Sequence, residues 1–275
     1  MPLLIAFKGK SGFSARNTAE DVTKGIDGHG LTAIITEPTS GIGLETARVL
    51  ALRGVHVVIA ARNVEAVAKC KETIIKSCPS ATIDVMKLDL RSLKSVTNCV
   101  NEYISMGLPL NILICNAGVT APPFSLSKDG SESRFATNYL GHFHLTNLLL
   151  DTIKNTAKNC RREGRIVLVS SEVHRLTYKG GIIGMFSLFL YNGFYAYGQS
   201  KLANTLHAKE LTRRLKGAST TCYLALNPKV KEVNGEYFAD NNVAKPSSKA
   251  KDAELAKKLR ECGMELTKSK STRQV

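Results

Sequence analysis

Five short runs of aliphatic and β-branched residues recur along this chain, each followed by an amphipathic stretch of helical period, and that alternation admits few folds. The spacing predicts strands over 31–36, 55–60, 82–88, 111–115 and 165–169, with helices over 44–53, 64–77, 93–104, 135–157 and 196–215. Strands separated by helices pair in parallel, through right-handed crossovers that cover both faces of the sheet. The expected fold class is therefore α/β, a doubly wound parallel sheet whose ligands bind at the carboxyl ends of the strands. With 275 residues the chain can bury one sizeable core. We expect a single domain over 1–275, with an N-terminal extension over 1–30 and a basic tail over 245–275.

Composition narrows the setting. The 38 Lys and Arg against 23 Asp and Glu give a net charge of +15, which attracts phosphorylated ligands, anionic membranes or nucleic acid without choosing among them. Nucleic acid fits worst, because the charge comes with no stacking-aromatic or zinc pattern. The seven cysteines show neither CxxC pairs nor metal spacing, which suits a reducing compartment and predicts no metal site. No apolar run approaches the roughly 20 residues that span a bilayer, so any membrane association is expected to be peripheral. Residues 1–18 carry Lys8, Lys10 and Arg16 with several hydroxyl residues and no acid, a weak likeness to an organelle transit peptide.

The informative residues fall at the strand ends. The first strand runs into Thr36, Glu37, Pro38, Thr39, Ser40, Gly41, Ile42 and Gly43, a loop opening a helix whose free N–H groups and dipole favour a phosphate. Arg62, after the second strand, stands where a dinucleotide-binding protein inspects the adenosine ribose, and a guanidinium there suits a 2′-phosphate. Asp89, after the third, can accept from an adenine amino group or cap the next helix. Asn116, Ala117 and Gly118, after the fourth, supply small residues where a cofactor passes close to the backbone.

Ser171 ends the fifth strand, and Tyr197 and Lys201 follow on the next helix at i and i+4, one face of that helix. A neighbouring ammonium favours the phenolate and brings Tyr acidity toward working pH. In this arrangement Tyr197 protonates a carbonyl oxygen as hydride arrives, Lys201 lowers the Tyr pKa and holds the nicotinamide ribose, and Ser171 polarises the oxygen. Asn138, on the long helix, can anchor a water that links Lys201 to solvent.

Taken together, Gly41 and Gly43, Asn116 to Gly118, Asn138, Ser171, Tyr197 and Lys201 resemble the short-chain dehydrogenase/reductase family over about 31–215. The blocks 12–14, 135–143, 170–172 and 235–238 are similar to its retinol-dehydrogenase-like branch, in particular to plant members associated with the chloroplast inner-envelope protein translocon. The resemblance implies a Rossmann-type sheet and NADP(H), bound through Thr36, Thr39, Ser40, Gly41, Ile42, Gly43, Arg62, Asp89, Asn116, Ala117, Gly118, Tyr197 and Lys201. It implies Asn138, Ser171, Tyr197 and Lys201 as catalytic residues and a small carbonyl or alcohol as substrate. For the plant branch it implies calmodulin and envelope translocon subunits as partners, with peripheral residence at the inner envelope.

Three departures from the family pattern stand out. Glu37 occupies a glycine position of the turn and Pro38 a small-residue position, placing a carboxylate beside a pyrophosphate and a Cβ where the backbone needs freedom. Residues 181–190 replace a polar loop with an apolar stretch, which fits packing, an aberrant join or a substrate wall. The helix ending at 213–216 runs directly into 217–220, and the next apolar stretch, 221–226, again reads as helical, so the family's sixth strand, the segment at its end that touches nicotinamide and a substrate-covering helix, about 30 residues or more, are missing. A strand at 236–238 then lacks its neighbour, and the last sixty residues are expected to dock poorly.

The basic tail places Leu255, Leu259, Cys262 and Leu266 on one helical face, which suits either packing on the domain or binding to calmodulin or an anionic membrane. Two functions follow: an NADPH-dependent oxidoreductase of reduced activity, or a redox- and calmodulin-responsive regulatory subunit that needs no turnover.

Overall fold

Strands β1 (Thr32–Thr36), β2 (His56–Ala61), β3 (Ile83–Lys87), β4 (Ile112–Cys115) and β5 (Arg165–Leu168) form one parallel sheet of order β3-β2-β1-β4-β5. The computed structural model of the chain describes residues 9–120, 123–178, 191–215, 226, 228 and 235–268. Register is continuous across the centre, with Ile35 of β1 opposite Ile59 of β2 and Ile114 of β4. The strand order reverses between β1 and β4, and such switch points open the crevice in which ligands of these sheets bind.

A short helix α1 (Ala19–Thr23), closed by a capping box between Thr18 and Asp21, precedes the sheet. Helices α2 (Gly41–Leu52) and α3 (Val64–Ser77) cover one face, while α4 (Leu93–Ser105) and α6 (Gly141–Cys160) cover the other. The period of two sorts the side chains. Ala33, Ile35, Val57 and Ile59 join Leu50 and Val67 on the first face, and Ile34, Val58 and Ala60 join Val100, Leu145 and Leu149 on the second. Every residue of β1 is buried, as a central strand covered on both sides requires.

One expected element is divided. The helix predicted over 135–157 consists of α5 (Ser133–Phe135), a π-helical turn at Ala136–Leu140 and then α6. A π turn holds an extra residue and shifts the side chains that follow, a feature found mostly at functional positions. Asn138 sits in it.

Helix α7 (Gly193–Leu215) leads away from the sheet edge. Among the described residues β5 pairs only with β4, and no sixth strand follows it. The stretches 181–190 and 217–225 lie outside the described residues. Leu226 is buried in the same apolar cluster as Val167 of β5.

The C-terminal part corrects two expectations. The strand anticipated at 236–238 has a partner: β6 (Tyr237–Ala239) pairs antiparallel with β7 (Asn242–Ala244). The connecting Asp240 and Asn241 have φ of 51° and 61°, the left-handed pair that a two-residue type I′ hairpin demands and that Asp and Asn tolerate. The tail also docks. Helix α8 (Ala253–Lys268) lays Ala256 and Leu259 against Leu202, Ala203 and Leu206 of α7 and the aromatic ladder Phe135, Tyr139 and Phe143. Each fully buried leucine in that seam contributes about 1.5–3 kcal/mol. The buried stripe runs through Ala256, Leu259, Gly263 and Thr267, whereas Cys262, expected on it, is exposed. No helix among the described residues is long and apolar enough to cross a membrane.

Candidate active site

A cleft of about 570 Å³ opens at the carboxyl ends of β1, β2 and β4. Thr39, Ser40, Gly41, Ile42 and Gly43 line one wall, Asn116, Ala117 and Gly118 another, and Arg62 and Asp89 also border it. Gly43 permits this closeness, since a Cβ there would stand 2.5 Å from Asn116 Nδ2 and 3.0 Å from Pro38 Cα. Ser40 caps α2 without a side-chain hydrogen bond, which leaves the first-turn amides available to an anion. Arg91, which sequence reasoning passed over, lines the cleft as well.

Glu37 also lines this cleft, and its backbone has φ of 49°. The left-handed region costs a non-glycine residue about 1–2 kcal/mol. The turn is nonetheless held. The Glu37 N–H donates to Ala60 O at 2.8 Å, and Oε1 accepts the Arg62 N–H at 3.1 Å. The chain's own carboxylate thus takes a donor at the end of the cleft where a ribose phosphate would be read. This donor set fits a phosphorylated dinucleotide, with Glu37 as the opposing charge at the turn and Asp89, paired with Arg91 and Lys128, as a second carboxylate on the cleft.

Of the two roles read for Asp89, the structure removes the helix cap. The N-cap of α4 is Ser92, whose hydroxyl accepts from Ser95 N, while the Asp89 carboxylate takes the N–H and Nε of Arg91 and pairs with Lys128 Nζ at 3.3 Å. Burial alone would raise its pKa, but the hydrogen bonds from Arg91 outweigh it and hold the group below the ordinary value.

Thr36 does not line the cleft; it joins the loops behind it. Its Oγ1 accepts N–H bonds from Asn116 at 3.0 Å and Ala117 at 2.9 Å. With both acceptor positions occupied, its own hydrogen goes to His142 Nε2 at 2.9 Å. His142 is therefore the tautomer protonated on Nδ1, which donates to Asn138 O at 3.2 Å. Burial lowers its pKa to about 4, so it stays neutral. The sequence carried a signal for this link: His142 follows Asn138 by four residues, one helical turn along the same face.

The Asn138 side chain is committed. Its Oδ1 accepts from Val119 N at 2.8 Å, and Nδ2 donates to Val119 O and to Ser200 Oγ at 2.9 Å. Ser200 Oγ in turn donates to Tyr197 O at 2.7 Å. Asn138 thus clamps the loop after Gly118 to the helix that carries Tyr197 and Lys201.

Lys201 is 3% exposed, and burial lowers its ammonium to about 8. Its Nζ donates to Val169 O at 3.0 Å, lies 5.7 Å from the centroid of the Tyr197 ring, and stands 3.1 Å from the position a Cβ on Gly118 would occupy. That last contact sets Lys201 directly behind the cleft wall. Asn204 Nδ2 also donates to Val169 O, and Ser170 Oγ donates to Lys201 O at 2.8 Å. These bonds fasten the end of β5 to α7, one residue before Ser171.

Ser171 has an extended backbone and caps a 3₁₀ turn, Glu172–Arg175, with Oγ accepting from Val173 N at 3.3 Å. Gly198, directly after Tyr197, rests on this turn: a Cβ would collide with the carbonyl oxygens of Leu176 and Val173. That close approach packs α7 against the segment leaving Ser171. Gly198→Ala is expected to push the two apart and destabilise the chain by about 1–3 kcal/mol, read as a lowered denaturation midpoint. An unchanged midpoint would show that the contact yields without cost.

The hairpin braces the same turn. Tyr237 OH donates to Glu172 Oε1 at 2.8 Å, and its ring lies 4.9 Å from that of His174. His174 accepts the Ser247 N–H on Nε2, which makes Nδ1 the donor to Ser171 O at 2.8 Å.

Comparison with known proteins places the family and the fold. A model of the short-chain dehydrogenase family matches residues 31–223. A Brassica napus protein, short-chain dehydrogenase TIC 32 A, chloroplastic, is 46% identical over 309 aligned positions that cover 95% of this chain and 96% of that protein. Those positions outnumber the 275 residues here, so the relative carries stretches with no counterpart. Mouse retinol dehydrogenase 12 is 40% identical over 201 positions, 73% of this chain and 61% of its own length. The crystal structure of an uncharacterized protein from Mycobacterium paratuberculosis, 31% identical, superposes with a TM-score of 0.70 over 92% of this chain and 97% of that one.

Proposed function

The chain belongs to the short-chain dehydrogenase family, and from that premise we propose that it is an NADPH-dependent oxidoreductase interconverting a small carbonyl and its alcohol. The observation that supports this most directly is Lys201, buried between Tyr197 and the Gly118 wall of the cleft. A bound nicotinamide would supply the hydride. The chain supplies the proton: Tyr197 OH donates it to the carbonyl oxygen, and the Lys201 charge, with its lowered pKa, stabilises the phenolate left behind. Ser171 Oγ orients the same oxygen, and its turn is fixed by Gly198 and the hairpin. Asn138 is a positioning residue, holding Val119 and the Tyr197 helix in register; its water-anchoring role falls to oxygens left available beside those bonds.

Thr39 to Gly43 and the α2 amides are the pyrophosphate cradle in this reading, and Thr36 holds it to Asn116 and Ala117. Arg62 favours the 2′-phosphate of NADPH. The test is fluorescence titration with NADPH and NADH on the parent chain and on Arg62→Ala. NADPH is expected to bind more tightly to the parent, and the substitution to remove about tenfold of that preference, one partner of a charge-assisted contact being worth roughly 1.5–3 kcal/mol. Equal affinities in the parent would sink the assignment.

A second reading rests on Glu37 at the cofactor turn and on the absence of a sixth strand among the described residues. In it the chain is a peripheral subunit at the chloroplast inner envelope that meets translocon proteins and responds to NADPH and calmodulin without turnover. Calmodulin would take α8 only after its apolar stripe left α7, which couples capture of the tail to exposure of the seam at Leu206 and Leu259.

A further inference from the structure

A second cleft lies at the opposite end of the sheet from the proposed cofactor site. It has a volume of about 290 Å³ and borders the residues that precede or open β1, β4 and β5. We propose that it is an anion site for a phosphoryl group, formed by Asn111 with Arg161, Arg162 and Arg165.

Asn111 is 1% exposed and lines this cleft. Its Oδ1 accepts from Thr32 N at 2.9 Å, but its Nδ2 has no hydrogen-bond partner among the described residues. A buried amide donor left unmade is costly, so an acceptor is expected there. The surroundings select a charged acceptor. Among the described residues three arginines line the cleft against one acid, Glu163, whose carboxylate stands 3.7 Å from Arg165 Nη2. Arg162 also donates to His29 O, at 3.3 Å, and lies near enough to Asp27 to help lower its pKa, after the hydrogen bonds from His29. Arg161 holds a left-handed backbone, φ 50°, at the C-terminus of α6.

An oxyanion with several acceptor oxygens can take the Asn111 amide and several guanidinium donors at once, and its charge complements the arginines as a neutral acceptor does not. The volume exceeds the needs of free phosphate and admits a small phosphomonoester. The proposal is independent of the oxidoreductase reading, because no residue of the proposed dinucleotide cleft takes part in it.

The test is titration of the full ¹⁵N-labelled chain with inorganic phosphate and, separately, with glycerol phosphate, following the Asn111 side-chain amide. A saturable shift is expected with each, and tighter binding of the ester would identify an organic phosphate rather than the free ion as the better occupant. Asn111→Asp keeps the acceptor for Thr32 N but replaces the donor with a charge, and is expected to abolish binding. The surface pair Arg161→Ala and Arg162→Ala, which leaves the core untouched, is expected to weaken it at least about tenfold. Arg62→Ala, at the other end of the sheet, is expected to leave it unchanged. No shift at Asn111, or binding lost in Arg62→Ala and retained in the double variant, would overturn the proposal.

Discussion

Tyr197→Phe is expected to lower carbonyl reduction by about 10²–10⁴-fold, the usual worth of a positioned acid, while NADPH titrates as in the parent chain. Phenylalanine keeps the ring that packs beside Lys201 and removes only the hydroxyl. The helix position is set elsewhere, by Ser200 on the Tyr197 carbonyl and by Gly198 on the 3₁₀ turn, so the substitution reads out proton transfer rather than folding. The measurement is NADPH consumption with a panel of small aldehydes and ketones. Turnover equal to the parent's would remove Tyr197 from the chemistry and turn attention to the regulatory reading.

The second large effect is expected at Glu37. Glu37→Gly relieves a left-handed backbone that costs a side-chain residue about 1–2 kcal/mol. It also removes a carboxylate from the cleft and frees the Arg62 N–H that this carboxylate now occupies. Repulsion between unit charges about 4 Å apart near a protein surface reaches about 4 kcal/mol before salt screens it. A gain of about tenfold to a hundredfold in NADPH affinity follows, with a rise in thermal midpoint because the strained residue is gone. The two readouts separate the causes. A higher midpoint with unchanged affinity would mean that the carboxylate already swings clear of the nucleotide.

Most of the scaffold was legible in the sequence because periodicity and packing agree. Each strand of the sheet is a run of aliphatic residues that a doubly covered sheet buries, as at Ala33, Ile34 and Ile35. The site was legible as residue types at strand ends, and Thr39 to Gly43, Arg62, Asp89 and Asn116 to Gly118 do meet around one cleft. What stayed hidden was the wiring. No periodicity says that Asn138 spends its amide on Val119 and Ser200, that His142 carries its proton on Nδ1, or that Gly198 is small because carbonyl oxygens approach it. These are long-range contacts, fixed only once the π turn and α7 are in place. The tail was legible in part. Leu255, Leu259 and Leu266 pack in the seam with α7, as one of the two readings of that face had it, while the most buried stripe is rotated onto Ala256 and Gly263 and leaves Cys262 exposed.

The hairpin reaches farther than the turn it braces. Asn242 Oδ1 accepts both the N–H and the hydroxyl of Ser11, and its Nδ2 donates to Phe13 O. A segment before the first strand is therefore buckled to one after the last helix of the sheet, and the buckle sits one strand from Tyr237 on the Ser171 turn. Residues 231 positions apart in the chain close a loop on the Rossmann core, so a tag, cut or partner that pulls on residues 9–13 would be felt at Ser171 before it was felt in the sheet.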